Sequence, residues 1–171
     1  MFPHYAEPVA RAATRAIAAL VAADVPHEVL QYRHDPRHAS FGEEAVAELT
    51  RDLVTRPEQV LKTLVVASSG GLGVAVLPVP AKLSLKAAAA ALGVSKATMA
   101  DRVAAERATG YVTGGISPLG QRQPLPTVVD ASALRWDRVL CSAGRRGLEI
   151  ALDPRDLVRL THAVTANIRA P

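Results

Sequence analysis

Apolar positions along the chain recur with two periods, and the periods divide it into helices and strands. From Pro8 to Ala23 the residues Val9, Ala13, Ile17, Leu20 and Val21 return at helical spacing, with Arg11 and Arg15 on another face, which predicts an amphipathic first helix. Pro26 stops propagation, and HEVLQY (27–32) reads as a short strand ending at Tyr32. Ser40-Phe41-Gly42-Glu43 has the pattern of a capping box ahead of Ala45, Val46, Leu49 and Leu53, so a second helix is predicted from about Ser40, bounded by Pro57. LKTLVVASS (61–69) and GVAVLPV (73–79) are rich in β-branched residues and flank Gly70-Gly71, the pattern of a hairpin.

Ser84 can cap a third helix that runs to Leu92 and stops at Gly93, and Asp101 a shorter one through Arg107 with Gly110 behind it. PTVVD (126–130), RVLCSA (138–143) and LEIAL (148–152) read as strands, the last two joined by Gly144-Arg145-Arg146-Gly147. Asp153-Pro154-Arg155-Asp156 then opens a final helix with an N-cap, a proline in the first turn and an early acid. This order is not a regular βαβ alternation, which argues against a doubly wound nucleotide-binding sheet. The pattern predicts an α/β fold: a single domain with a mixed, strongly curved, barrel-like sheet flanked by helices.

Composition narrows the class. A chain of 171 residues can bury one sizeable core, and 49% hydrophobic with 21% charged residues is too apolar for disorder. Cys141 is the single cysteine, so no internal disulfide can form, and the start of the chain has neither a long apolar leader nor a spanning segment. A cytoplasmic protein with no membrane association is expected. Twenty Lys and Arg against sixteen Asp and Glu leave +4, which suits a polyanionic partner as well as plain solubility. Only four of the basic residues are lysines, namely Lys62, Lys82, Lys86 and Lys96.

Candidate chemistry is sparse. His34-Asp35-Pro36-Arg37-His38 holds two imidazoles and a carboxylate, but Pro36 breaks the helix that would align them and no partner motif accompanies them, so a polar loop is the better reading and no metal site is assigned. Ser117 and His162 lack the strand-to-helix elbow of a nucleophilic serine. Gly70-Gly71-Leu72-Gly73 lacks the lysine and hydroxyl of a phosphate loop. Lys62 stands near the start of an otherwise apolar strand, where an ammonium must snorkel to water or meet an acceptor. GYVTGGISPLGQRQPLP (110–126) concentrates glycine and proline. From residues alone it is equally a turn or a backbone cradle whose amides converge on a ligand.

Taken in order, Tyr32 with His34-Asp35, Phe41-Gly42, QVLKTLVV (59–66), LKAAAAALG (85–93), TGYVTGGISPLGQRQPLPTVVD (109–130) and SAGRRGLEIAL (142–152) resemble the YbaK/EbsC family. These are free-standing editing domains related to the insertion domain of bacterial prolyl-tRNA synthetases. The resemblance covers roughly residues 26–168 and implies one editing domain over 1–171, with 1–25 a helical N-terminal extension. It implies removal of mischarged cysteine from Cys-tRNA(Pro) in trans, without a cofactor, with the acceptor end of aminoacylated tRNA(Pro) and prolyl-tRNA synthetase as partners. Hydrolysis of Ala-tRNA(Pro) and a non-catalytic tRNA-binding or synthetase-binding module are the alternatives. In this family the substrate's own sulfur attacks its ester carbonyl. Carried over, Lys62 is the catalytic residue, Gly114, Gly115, Ile116, Ser117 and Pro118 hold the aminoacyl group, and Tyr32, Phe41, Ser142, Gly144 and Glu149 line or support the pocket. The resemblance leads to the expectation of Asp where this chain has Glu149. Arg122, Arg145 and Arg146 are either contacts for the acceptor end or a solvated charged surface.

Overall fold

In the computed structural model, which describes residues 14–51 and 54–171, the elements run α1 (Arg15–Ala22), β1 (Glu28–Gln31), α2 (Phe41–Leu49), β2 (Leu61–Ser68), β3 (Gly71–Pro78), α3 (Leu85–Leu92), β4 (Thr98–Met99), α4 (Arg102–Thr109), β5 (Thr127–Asp130), β6 (Val139–Arg145), β7 (Leu148–Leu152), α5 (Pro154–Thr161) and β8 (Val164–Ala166). The hairpin at Gly70-Gly71 forms as expected, with Lys62 opposite Leu77 and Ser68 opposite Gly71. The Val79 N–H donates to the Val60 carbonyl at 2.8 Å, and the Ala100 N–H to the Val65 carbonyl at 3.0 Å. Antiparallel pairing alternates, so Leu61, Thr63 and Val65 turn their backbone groups away from β3. On that side β4 pairs only with Val66 and Ala67, and among the described residues no strand covers Lys62 to Leu64.

The barrel expectation is corrected. The strands form two sheets, β1-β7-β6 and β4-β2-β3-β5-β8, and neither closes. They touch through one parallel bridge, Val60 to Leu140. The β6–β7 hairpin takes β1 as its third strand, and the larger sheet ends in the short strands β4 and β8. Instead of one curled sheet, two open ones share an apolar core: Leu61, Val74, Val76 and Val129 from one pack with Val139, Cys141, Leu148 and Ile150 from the other. Full burial of side chains such as Leu148 and Ile150 is worth about 1.5–3 kcal/mol each.

Local signals place most helix ends. Ser84 Oγ accepts from the Ala87 N–H, an Asp101 carboxylate oxygen from Ala104, and Asp153 from Arg155, while Gly93 and Gly110 close α3 and α4 in the left-handed region at φ +73° and +80°. The alanine run puts Ala88 and Ala89 into the core, where small side chains let α3 lie close to Val128 and Ile168. The capping box at Ser40 does not form: its side chain makes no cap bond, and Glu43 is exposed. The engaged acid is the buried neighbour Glu44. The first helix is described from Arg15; its expected start at Pro8 and the expected core residue Leu53 lie outside the described residues. Ala16, Ile17 and Leu20 of α1 enter the same core as the two sheets.

Candidate active site

The segment 110–126 leaves α4 through Gly110 and is held by bonds within itself and back to α4. Glu106 accepts from both the Thr113 N–H (2.9 Å) and its hydroxyl (3.0 Å). The buried Tyr111 hydroxyl donates to the Leu119 carbonyl at 2.6 Å, Ser117 Oγ accepts from the Leu119 N–H at 3.2 Å, and Arg122 and Gln123 return N–H bonds to Thr109 and Ala108. Two glycines are there for closeness. A Cβ on Gly114, which has φ +86°, would lie 2.7 Å from the Phe41 ring, and one on Gly115 would lie 3.0 Å from the Arg145 backbone.

Phe41 is the first residue of α2, and its ring meets a cation and an imidazole. The Arg146 guanidinium carbon stands 4.5 Å from its ring centroid, and the His34 ring lies at 5.6 Å. Arg146 Nε also donates to the Thr113 carbonyl at 2.9 Å, joining the β6–β7 hairpin to the glycine segment. His34 is fixed in turn by Glu44, whose Oε2 is 2.8 Å from Nδ1 while Oε1 accepts the Asp35 N–H at 2.7 Å. Arg146 is therefore half-buried and engaged within the protein, whereas Arg122 and Arg145 are exposed.

These segments enclose a cavity of about 580 Å³ against the uncovered edge of β2. Of the residues expected to form the site, Phe41, Lys62, Gly114, Ile116, Ser142 and Glu149 line it. Tyr32, Gly115, Ser117, Pro118 and Gly144 do not line it. Ser117 is fully buried. Tyr32 donates its N–H to the Gly147 carbonyl at 2.9 Å, anchoring β1 to the hairpin. Gly144 sits at the bulge in β6, at φ +99°, where a Cβ would come 2.5 Å from Tyr111. Its N–H donates to Ser142 Oγ at 3.1 Å, which turns that side chain on the cavity wall.

The electrostatics of the cavity are asymmetric. Lys62 Nζ donates to the carbonyls of Val79 (3.2 Å) and Ala81 (2.5 Å), so the ammonium meets neutral acceptors and keeps its charge uncompensated by any carboxylate of the described residues. Partial burial pulls its pKa below the ordinary lysine value. Glu149 is 6% exposed, and burial pushes its carboxyl up to about 8. Its Oε2 and the Thr63 hydroxyl oxygen are both buried without a hydrogen-bond partner. Thr63 also lines the cavity and escaped the sequence reading. Its only signal was a polar residue within an apolar strand, beside Lys62.

With this geometry, comparison with known proteins is informative. The family model described as "Aminoacyl-tRNA editing domain" matches residues 42–160. A relative from Enterococcus faecalis, named "Putative Cys-tRNA(Pro)/Cys-tRNA(Cys) deacylase EbsC", is 35% identical over 145 residues, which are 84% of this chain and 85% of the relative. A crystal structure described as "a putative trans-editing enzyme for prolyl tRNA synthetase" shares the fold at TM-score 0.78 and 23% identity, covering 96% of this chain and 99% of that one. Another, of a hypothetical protein, gives TM-score 0.78 at 24% identity over 92% of this chain and 100% of its own. On the extent of the family match and the identity to the enterococcal relative, the chain belongs to the aminoacyl-tRNA editing domain family, in its YbaK/EbsC group.

Proposed function

We propose that this protein is a trans-editing deacylase that removes cysteine from Cys-tRNA(Pro), with the substrate's thiol as nucleophile. The observation that carries the reading is Lys62: a cation held by two neutral carbonyls on the wall of a cavity whose described lining offers hydroxyls, Ser142 among them, but no cysteine and no histidine to activate a hydroxyl. Cys141 is fully buried, with its thiol pushed well above the usual range by burial and then by Glu149, and Ser117 is buried with its oxygen engaged. The enterococcal relative's name supports the substrate.

In the proposed step the cysteine sulfur loses its proton and bonds to the ester carbonyl carbon. The bond from that carbon to the ribose oxygen breaks, the oxygen takes up a proton, and a thiolactone and free tRNA leave. Lys62 positions the ester and stabilises the negative charge that develops on its oxygen. The wall formed by Phe41, Gly114 and Ile116 receives the small side chain. A second sieve of this kind is needed because a binding pocket separates side chains that differ by a methylene by only ~1–3 kcal/mol. Residues 1–171 act as one editing domain, with 1–25 an N-terminal extension whose α1 supports the core. The acceptor end of tRNA(Pro) and prolyl-tRNA synthetase are the proposed partners, in the cytoplasm. Among the described residues no helix is long and apolar enough to cross a membrane.

Single-turnover deacylation of tRNA(Pro) charged with cysteine, alanine or serine tests the assignment. Rapid loss of the cysteine ester alone is expected. Preferential loss of alanine would assign the protein to the hydrolysis of Ala-tRNA(Pro), and no loss of any ester would make it a binding module.

A further inference from the structure

Two residues that line the cavity each carry a buried polar atom with no hydrogen-bond partner. Glu149 Oε2 and Thr63 Oγ1 are both buried without a partner. Leaving a buried acceptor unsatisfied costs about 1–3 kcal/mol, more for a group that can carry charge, and folded proteins seldom keep two among the lining residues of one cavity without a use. Glu149 projects from β7 beside Ser142, its cross-strand partner, and Thr63 lies on the edge of β2 that no strand covers. Neither residue is on the exposed rim, where Glu43 and Arg102 also border the cavity.

Unpartnered buried oxygens call for a donor, and a cation placed against Glu149 offsets the burial that disfavours its charged form. The same cavity already holds one fixed cation, Lys62, whose charge no carboxylate of the described residues neutralises. A ligand complementary to both ends carries developing negative charge at one atom and positive charge close by. An α-aminoacyl ester has this form: its carbonyl oxygen and its ammonium nitrogen are separated by the carbonyl carbon and Cα.

Resting on the deacylase reading above, we infer that Thr63 and Glu149 are the receptor for the α-ammonium group of the aminoacyl ester. Two of the three N–H donors of an ammonium are taken by Thr63 Oγ1 and Glu149 Oε2, and the ester is turned so that its carbonyl oxygen meets Lys62. The enzyme thereby requires a free α-amino group as well as a small thiol side chain. An ester that carries the thiol but no amine is bound without its orienting contact.

The test compares Cys-tRNA(Pro) with 3-mercaptopropionyl-tRNA(Pro), which keeps the thiol and the ester and has hydrogen in place of the amino group. Each single-turnover rate is divided by that ester's own uncatalysed rate. The wild-type protein is expected to favour the cysteine ester by tenfold or more, roughly one charge-assisted hydrogen bond. Glu149→Gln is expected to lose most of that preference, and the near-isosteric Thr63→Val part of it. Equal normalised rates with the wild-type protein overturn the inference, as does an undiminished preference in folded Glu149→Gln. Since the wild-type comparison needs no variant, the inference stands or falls even if one misfolds. A wild-type protein inert on the cysteine ester itself would instead overturn the deacylase reading.

Discussion

Replacing Glu149 by Gln should make the protein more stable as pH rises, against the usual expectation for removing an acid from a conserved-size pocket. In the folded chain burial holds the Glu149 proton up to about pH 8, whereas the unfolded chain releases it near 4.5. Between those values the folded state binds more protons than the unfolded one, so this group's contribution to stability falls with increasing pH. Below pH 4.5 both states are protonated and the contribution is flat. The full displacement corresponds to about 4–5 kcal/mol by pH 8. Gln has no proton to lose, fills nearly the same volume and presents a neutral amide to the cavity. Urea unfolding of both proteins at pH 4.5 and pH 8 measures the difference directly, because every other titrating group cancels in the comparison. Stabilities within ~1 kcal/mol are expected at pH 4.5, and a variant several kcal/mol more stable than the parent at pH 8. Parallel pH profiles, with a constant offset, would show that Glu149 is solvated or paired and would refute the electrostatic picture of the cavity.

Two further outcomes follow from the glycine segment. Gly114→Ala places a Cβ 2.7 Å from the Phe41 ring at a backbone φ of +86°, so deacylation should fall at least about tenfold and stability by roughly 1–3 kcal/mol, read by single-turnover kinetics and thermal unfolding. Ser117→Ala removes the acceptor of the Leu119 N–H and should cost about 1 kcal/mol of stability, while the deacylation rate of the folded protein stays within about threefold of the parent. A loss of several orders of magnitude in that variant would instead make Ser117 a nucleophile.

How much of this was legible beforehand depended on the range of the interactions. The caps at Ser84, Asp101 and Asp153 and the stop at Gly93 are settled within a few residues of chain, and they appear where the sequence places them. Lys62 stood out as a charge in an apolar strand, but on that ground alone it was more simply a side chain reaching water, and its place in the site came from the resemblance. Ser40 misled because Glu44, one residue beyond the capping position, is drawn to His34 and the Asp35 amide instead. β4 and β8 are two and three residues long and exist only through pairing with β2 and β5, which leaves no periodic trace. The division into two sheets was hidden for the same reason: whether β6 continues the β2 sheet or joins β1 is decided by partners far away in the chain. Within the site, residue type left the segment 110–126 equally a turn or a cradle, and the resemblance that chose the cradle did not say which residues face inward. Ile116 lines the cavity while its neighbours Ser117 and Pro118 turn into the core. The stacking of Arg146 on Phe41 arises from elements brought together by the fold and no local motif marks it, whereas Thr63 lies inside the QVLKTLVV segment without having been singled out there.

The central claim is that an ammonium held on neutral carbonyls directs cleavage of a cysteine ester. The most direct test is the single-turnover loss of cysteine from Cys-tRNA(Pro) with the wild-type protein beside Lys62→Ala, the fold of the variant being checked by its thermal transition. Cleavage by the wild-type protein, with at least about a hundredfold loss in the folded variant, is the expected result, the scale on which one electrostatic stabiliser of a developing oxyanion acts. Equal cleavage by the two proteins would contradict the claim.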